Sequence, residues 1–121
     1  MHFFHNQVQL TGRVAADPEL YFTSDGTPKA SLTLLQDRTG ERHGPPARFA
    51  LVGWEALARR LHELLRQDDR IFVQGQLRIR TYERDGTVHQ RAEIHLEQYV
   101  LLKSPRSSYR LLKARTQKVA G

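Results

Sequence analysis

Cationic and aromatic side chains alternate with apolar ones between Arg70 and Tyr82. The polar, cationic and aromatic set consists of Phe72, Gln74, Gln76, Arg78, Arg80 and Tyr82. The apolar or small set consists of Ile71, Val73, Gly75, Leu77, Ile79 and Thr81. Because successive strand residues point to opposite sides of a sheet, this alternation predicts one long strand whose apolar face is buried. The other face supplies cations for phosphates and flat rings for bases, which a groove for single-stranded nucleic acid needs.

Patterns that would indicate catalysis or metal binding are absent from the sequence. It has no cysteine, and its only close histidine pair, His2 and His5, has no third ligand nearby. No glycine-rich phosphate loop and no nucleophile in a recognisable setting occurs. The paired acids Asp68 and Asp69 fall at a turn between a helix and a strand, where solvation explains them. We therefore expect neither enzyme activity nor a cofactor.

The net charge of +6 belongs to the C-terminal end of the chain. Six of the 19 Lys and Arg residues lie in residues 103–121, which contain no acid, and the other 13 balance the 13 Asp and Glu of residues 1–102. The predicted domain, residues 1–103, is therefore close to neutral, and its cations matter by position. Residues 104–121 are predicted as a basic tail that is disordered, attracts nucleic acid through Arg110 and Lys113, or docks on a partner as a short helix.

Four further strands and one helix are predicted around the alternating stretch. The strands cover residues 6–16, 29–35, 47–53 and 88–102. The helix covers residues 54–66, and its apolar face consists of Leu57, Ala58, Leu61, Leu64 and Leu65. One side of the last strand is predicted to carry Ala92, Ile94, Leu96, Val100 and Leu102. Five strands with one short helix between the third and fourth is the order of an OB-fold, an all-β Greek-key barrel.

Local signals place the bends of this barrel. Gly12 inside the first strand predicts a bulge or tight bend, and Pro18 is predicted to end that strand. Asp85-Gly86 predicts the turn of a hairpin between the last two strands. No run of 18 apolar residues occurs, so no membrane association is expected and a cytoplasmic protein is predicted.

Three segments resemble the bacterial and mitochondrial single-stranded DNA-binding protein (SSB) family. They are NQVQLTGRV at residues 6–14 with DPEL at 17–20, VGWEALA at 52–58, and QGQLRIRTY at 74–82 with the later Asp85-Gly86 and Glu93-Ile94. The resemblance spans residues 6–102. It implies an OB-fold that wraps single-stranded DNA over one sheet face as a homo-oligomer, a tetramer by resemblance with a dimer as the alternative.

The resemblance also implies roles for individual residues. Base-stacking positions of the family match Trp54 and Tyr82, and phosphate-contacting positions match Arg13, Arg78 and Arg80. Three alternatives stay open: Trp54 could pack into the core, Tyr82 could fill the base of a loop, and Arg78 and Arg80 could be only solvated.

Other candidates come from position along the chain. Arg48 stands where some family members have an aromatic residue, and we expect it to contact phosphate. Phe72 faces outward by alternation, so it is predicted either to stack on a base or to lie in an oligomer interface. Further contacts are predicted from Arg38 and Arg42 in the loop at residues 36–46, and from Arg84.

We therefore expect sequence-independent binding and protection of single-stranded DNA in replication, recombination, repair or DNA uptake, in association with the nucleoid. Replication or recombination proteins are the other partners to expect. The loop at residues 36–46 has no aromatic residue, and the chain lacks the acidic tail by which long family members recruit partners. Two alternatives remain: a primosome-associated protein of the same fold that bridges DNA and helicase-loading proteins, and an OB-fold interaction module without DNA binding.

Overall fold

Six strands and one helix make up the computed structural model, which describes residues 4–38 and 44–105. In chain order they are β1 (Val8–Val14), β2 (Glu19–Phe22), β3 (Pro28–Gln36), β4 (Ala47–Trp54), α1 (Glu55–Leu64), β5 (Arg70–Arg84) and β6 (Thr87–Lys103). The strands form one sheet in the order β1-β5-β6-β4-β3-β2, and an additional pairing of β1 with β3 closes it into a barrel. The predicted all-β OB-fold with one short helix is confirmed.

The prediction of five strands was one too few. The extra strand, β2, has four residues, lies at the edge of the sheet and pairs only with β3. It follows the segment containing Pro18, which had been predicted only to end the first strand. Because β2 is so short, it carries too little alternation to be detected from sequence. The helix therefore lies between the fourth and fifth strands.

Gly12 lies where β1 passes from one neighbour to the next. It pairs with Ile71 of β5, and the following residue, Arg13, pairs with both Arg70 and Leu35 of β3. A Cβ atom at Gly12 would lie 2.5 Å from the carbonyl oxygen of Leu35. The absence of a side chain therefore lets β1 approach β3 closely enough to close the barrel.

The core fills the barrel and the space beneath α1. It consists of Val14, Ala30, Leu32, Leu34, Leu51, Ala58, Leu61, Leu65, Ile71, Val73, Ile94 and Leu96. The helix contributes Ala58 and Leu61, as its apolar period predicted, but Leu64 is exposed. The helix therefore covers one end of the barrel with a narrower face than the sequence predicted.

The β5–β6 hairpin is longer than the barrel is tall. Its turn is Asp85-Gly86, as predicted, and both residues have positive φ angles, 53° and 75°. Burial along β5 ends at Gly75, and Leu77 and Ile79 are 44% and 57% exposed. The prediction of a buried apolar face along the whole strand is thus wrong beyond Gly75, because the outer half of the hairpin extends past the core.

A β-bulge in β6 reverses which residues face the core. Gly75 pairs with Leu96 and Gln74 pairs with Gln98, so Glu97 is an extra residue without a pairing partner in β5. Ile94 and Leu96 are buried before the bulge. After it Tyr99 and Leu101 pack against the core, while Val100 and Leu102 are exposed. The prediction that Val100 and Leu102 share a side with Leu96 is therefore wrong, because one inserted residue shifts the alternation.

Candidate nucleic-acid interface

One continuous outer surface of the sheet brings several predicted site residues together. Val52 of β4 pairs with His95 of β6, and His95 pairs with Gln76 of β5, so these three side chains point to the same side. We call this side the outer face. By alternation and register it includes Arg48, Trp54, Arg78, Arg80 and Tyr82, together with Glu93, His89 and Lys29.

Trp54 lies at the junction of β4 and α1 and is held at the surface. Its indole Nε1–H donates a hydrogen bond to Nδ1 of His95 over 3.1 Å, and the two rings stack with centroids 6.2 Å apart. The ammonium group of Lys29 lies 5.3 Å from the Trp54 ring centroid. Trp54 is 36% exposed. It precedes the first residue of α1, but its side chain makes no capping hydrogen bond to the helix. Trp54 is therefore a surface ring with a fixed edge, outside the buried core.

Tyr82 forms a second aromatic site in the outer half of the hairpin. It pairs directly with His89, and the two rings stack with centroids 5.4 Å apart and an interplanar angle of 20°. The guanidinium carbon of Arg80 lies 5.3 Å from the Tyr82 ring centroid. Tyr82 and His89 together thus offer a flat surface larger than one ring, with a cation beside it.

Glu93 connects the two aromatic sites. Its side chain is only 7% exposed; one carboxylate oxygen lies 3.3 Å from Nε of Arg80 and the other lies 3.4 Å from Nε2 of His95. Since Nδ1 of His95 accepts from Trp54, the neutral ring carries its hydrogen on Nε2 and can donate it to Glu93. Contacts therefore run without a break from Trp54 to Tyr82.

Arg78 and Arg80 differ in how their charges are used. The alternation along β5 shows no acid near either of them, but the neighbouring strand supplies Glu93, which binds Arg80. Arg78 pairs in register with Glu93, yet within the described chain its side chain makes no hydrogen bond or ion pair, and the two carboxylate oxygens of Glu93 contact Arg80 and His95 instead. Arg78 and Trp54 line a groove of about 370 Å³ with Gln76, His95, Leu96 and Glu97.

Arg13 lies at the far end of the barrel from Trp54. Its guanidinium group donates two hydrogen bonds of 2.9 Å to Asp37 and approaches Asp68 at 3.5 Å. The hydrogen bonds with Asp37 raise the pKa of Arg13 and lower the pKa of Asp37. Its charge is therefore compensated by two carboxylates. Leu35 of β3 pairs with Arg13 on one side and with Arg48 of β4 on the other. Arg48 is exposed and has no ion pair among the described residues.

The remaining candidates do not join the aromatic sites. Phe72 is half-buried and pairs with Thr11 of β1 and the exposed Val100 of β6, ten residues along β5 from Tyr82. Arg38 donates to the carbonyl oxygen of Pro45 over 3.0 Å, and Arg84 ends β5 at the hairpin turn. Three predicted contacts, Arg42, Arg110 and Lys113, lie outside the described residues.

Four outer-face residues were not assigned to the site from sequence: Lys29, His89, Glu93 and His95. The turn at Asp85-Gly86 pairs Arg84 with Thr87, and counting outward from that pair places His89 opposite Tyr82 and Glu93 opposite Arg78. The signal for these residues was therefore present once the turn was identified. Lys29 becomes visible only through the pairing of β3 with β4.

Residues 4–38 and 44–105 contain neither a metal-binding cluster nor a membrane-spanning helix. No group of three or more His, Cys, Asp or Glu side chains there could hold a metal ion. The described helix is also too short and too polar to cross a membrane.

Comparison with known proteins agrees with this geometry. Residues 5–102 match the Single-strand binding protein family. The chain is 32% identical over 105 residues to Single-stranded DNA-binding protein 1 of Streptococcus pyogenes, which covers 83% of this chain and 79% of that protein. It is 34% identical over 101 residues to Single-stranded DNA-binding protein 3 of Clostridium acetobutylicum, covering 80% and 70%. Because the family match includes every strand of the barrel, the chain belongs to the single-strand binding protein family.

Proposed function

We propose that this protein binds single-stranded DNA on its outer face without depending on sequence. The observation that carries the proposal is the pair of aromatic sites, Trp54 with His95 and Tyr82 with His89, on one sheet surface with Arg78 nearby. Successive bases can stack on such rings whatever their identity, because every base has a flat π-face. The names of the relatives, which state that they bind single-stranded DNA, support the same proposal.

Phosphates are held in this proposal first by Arg48 and Arg78. Neither side chain has a carboxylate partner in the described part of the chain, so DNA binding need not break an existing ion pair. Arg80 orients Tyr82 and shares its charge with Glu93, while Arg13 is bound by Asp37 and Asp68. Their contribution to phosphate binding is therefore smaller than that of the two free cations.

A second copy of the chain completes the proposed assembly. Phe72 and the exposed Val100 form an apolar cross-strand pair on the outside of the barrel, and covering it with another copy would remove it from water. The proposed oligomer is a tetramer, with a dimer as the alternative, and its role is protection of single-stranded DNA in the cytoplasm without catalysis. Size-exclusion chromatography with light scattering measures the number of copies, and a monomer would contradict this part.

Titration with oligo-dT tests DNA binding directly. Trp54 is the only tryptophan of the chain, so its fluorescence reports on one aromatic site. We expect quenching on addition of oligo-dT at low salt, a mobility shift of the labelled DNA, and weakening of both as salt is raised. If oligo-dT causes no quenching and no mobility shift at low salt, the proposed function is overturned.

A further inference from the structure

The groove beside Trp54 contains a carboxylate that phosphate binding does not explain. Its lining combines the indole of Trp54, the amide of Gln76, the guanidinium of Arg78 and the carboxylate of Glu97. A carboxylate repels a phosphate, so a groove serving only the DNA backbone would not need Glu97 there. A carboxylate is an acceptor of hydrogen bonds, and the bases of DNA carry N–H groups that can donate them.

The bulge of β6 accounts for the position of Glu97. Glu97 is the extra residue between the pairs Gly75–Leu96 and Gln74–Gln98. The parallel pairing of β4 with β6 ends at Val52 and His95, and the residues two positions further along each strand, Trp54 and Glu97, line the same groove. Bulges redirect side chains in this way at functional sites. The bulge therefore gives the groove an acidic group next to its aromatic ring.

The polar groups of the groove are not used by the rest of the described chain. Gln76, Arg78 and Glu97 make no side-chain hydrogen bond and no ion pair within residues 4–38 and 44–105. Glu93, on the same face, differs: both of its oxygens contact other side chains. An acceptor, Glu97, and two donor groups, Gln76 and Arg78, thus remain available beside an exposed ring.

We propose that this groove is a single base subsite that favours guanine within an interface that otherwise binds any sequence, and this inference rests on the proposed function. The base stacks on the exposed part of Trp54, and its N1–H and N2 amino group donate to the two carboxylate oxygens of Glu97. Its O6 atom accepts from Gln76 or Arg78. Guanine is suited to this arrangement because two adjacent donors lie beside an acceptor on its Watson–Crick edge, whereas thymine presents a single N–H between two carbonyl oxygens.

Binding of three short oligonucleotides of equal length tests the subsite. One is oligo-dT, one alternates dT with dG, and one alternates dT with deoxyinosine, which keeps O6 and N1–H but lacks the N2 amino group. We expect the dG oligonucleotide to bind roughly fivefold tighter than oligo-dT, the factor for one net hydrogen bond, with the deoxyinosine oligonucleotide between them. Fluorescence anisotropy of end-labelled oligonucleotides gives the affinities, and quenching of Trp54 reports whether the groove is occupied.

Substitution of Glu97 identifies the source of the preference. In Glu97→Gln and Glu97→Ala the ratio of dG to dT affinities should fall to about one, since the amide replaces one of the two acceptor oxygens by a donor group and the methyl group has no acceptor. Glu63→Gln, which removes an exposed carboxylate of α1, is the matched control and should keep the ratio. Equal wild-type affinities for the dG and dT oligonucleotides, or a preference that survives in both Glu97 variants, would overturn the subsite and leave the proposed function standing. Failure of all three oligonucleotides to bind would overturn both.

Discussion

The indole N–H of Trp54 is directed at Nδ1 of His95, 3.1 Å away. This bond fixes one edge of an otherwise exposed ring, and the contact of His95 with Glu93 fixes the imidazole in turn. A ring whose orientation is set before a base arrives loses less conformational freedom on binding than a freely rotating one. Trp54 is thus positioned by its neighbour on β6.

His95→Ala should therefore weaken DNA binding although His95 need not touch DNA. Loss of the Trp54 hydrogen bond and of the ring contact should reduce affinity for oligo-dT roughly fivefold, the equivalent of one net hydrogen bond. The fluorescence anisotropy of Trp54 in the free protein should fall, because the indole gains freedom of rotation. Unchanged anisotropy and affinity would contradict a positioning role. The control is His62→Ala, an exposed histidine of α1 whose ring contacts the carbonyl oxygen of Pro18 and not Trp54.

The two aromatic sites should contribute separately to binding. Trp54→Ala and Tyr82→Ala should each weaken affinity for oligo-dT by about 1–3 kcal/mol, the range for one base stacked on one ring. Tyr82→Phe keeps the ring and should bind almost as the wild type does. Anisotropy of a labelled oligonucleotide measures all three variants, with circular dichroism to verify folding. If both alanine variants bind with full affinity, the proposed stacking surface is wrong.

Arg78 and Arg80 should give different results when replaced by glutamine. Arg78→Gln should lower the slope of log affinity against log salt by roughly 0.7, the value for one lost phosphate contact on a single strand. Arg80→Gln should change the slope less, but it leaves Glu93 buried with one partner fewer, which costs about 1–3 kcal/mol of unfolding free energy. Salt titrations and urea unfolding of both variants separate the two effects. Equal slopes and equal stabilities would contradict the assignment.

The ion pair of Asp37 with Arg13 should stabilise the barrel at neutral pH and lose this effect at acidic pH. The guanidinium group of Arg13 lowers the pKa of Asp37 in the folded protein. A carboxyl group with a lowered folded-state pKa contributes its full stabilisation above the unfolded value of about 3.9, and loses it as the pH falls through the folded value. Asp37→Asn should therefore have a lower Tm than the wild type at pH 7, and the difference should shrink progressively as the pH falls below about 4. A difference of the same size at pH 3 and pH 7 would exclude this linkage.

Gly75→Ala should destabilise the hairpin at the bulge. A Cβ atom at Gly75 would overlap the backbone carbonyl oxygen of His95, which cannot move without disturbing the pairing of β5 with β6. We expect a loss of about 2 kcal/mol or more in the free energy of unfolding, as for other overpacked sites. Thr81→Ala, at an exposed position of the same strand, should change stability by less than about 0.5 kcal/mol. Urea unfolding compares the two variants, and equal stabilities would argue against a close contact at Gly75.

Alternation along β5 was sufficient to predict the shared face of Arg78, Arg80 and Tyr82, since the strand continues to Arg84 without an irregularity of its own. The turn at Asp85-Gly86 was predictable for an equally local reason: both positions need positive φ angles, which Gly and Asp tolerate. These features depend on residues that are close together in the chain. The fold class followed from the same local signals taken in order.

Features that arise between strands could not be predicted in the same way. No glycine, proline or other sequence signal marks the bulge at Glu97. Strict alternation along β6 therefore assigned Val100 and Leu102 to the wrong side. The ion pair of Arg80 with Glu93 joins residues 13 positions apart, and it becomes visible only after the register of the hairpin is known. Interpretation of Arg80 as a free cation was incomplete for this reason.

The outer half of the β5–β6 hairpin has a consequence for cooperativity. Beyond Leu77, whose partner Ile94 is the first residue of β6 to pair with β4, it is a two-stranded ribbon, with Ile79 and Val88 exposed instead of buried in a core. A ribbon without a covered apolar face has little stability of its own. Tyr82 and Trp54 therefore stand on parts of the molecule that open at different free energies: Trp54 with the barrel as a whole, and Tyr82 with a segment that unfolds locally at lower cost. A strand of DNA that touches both would join two cooperative units into one.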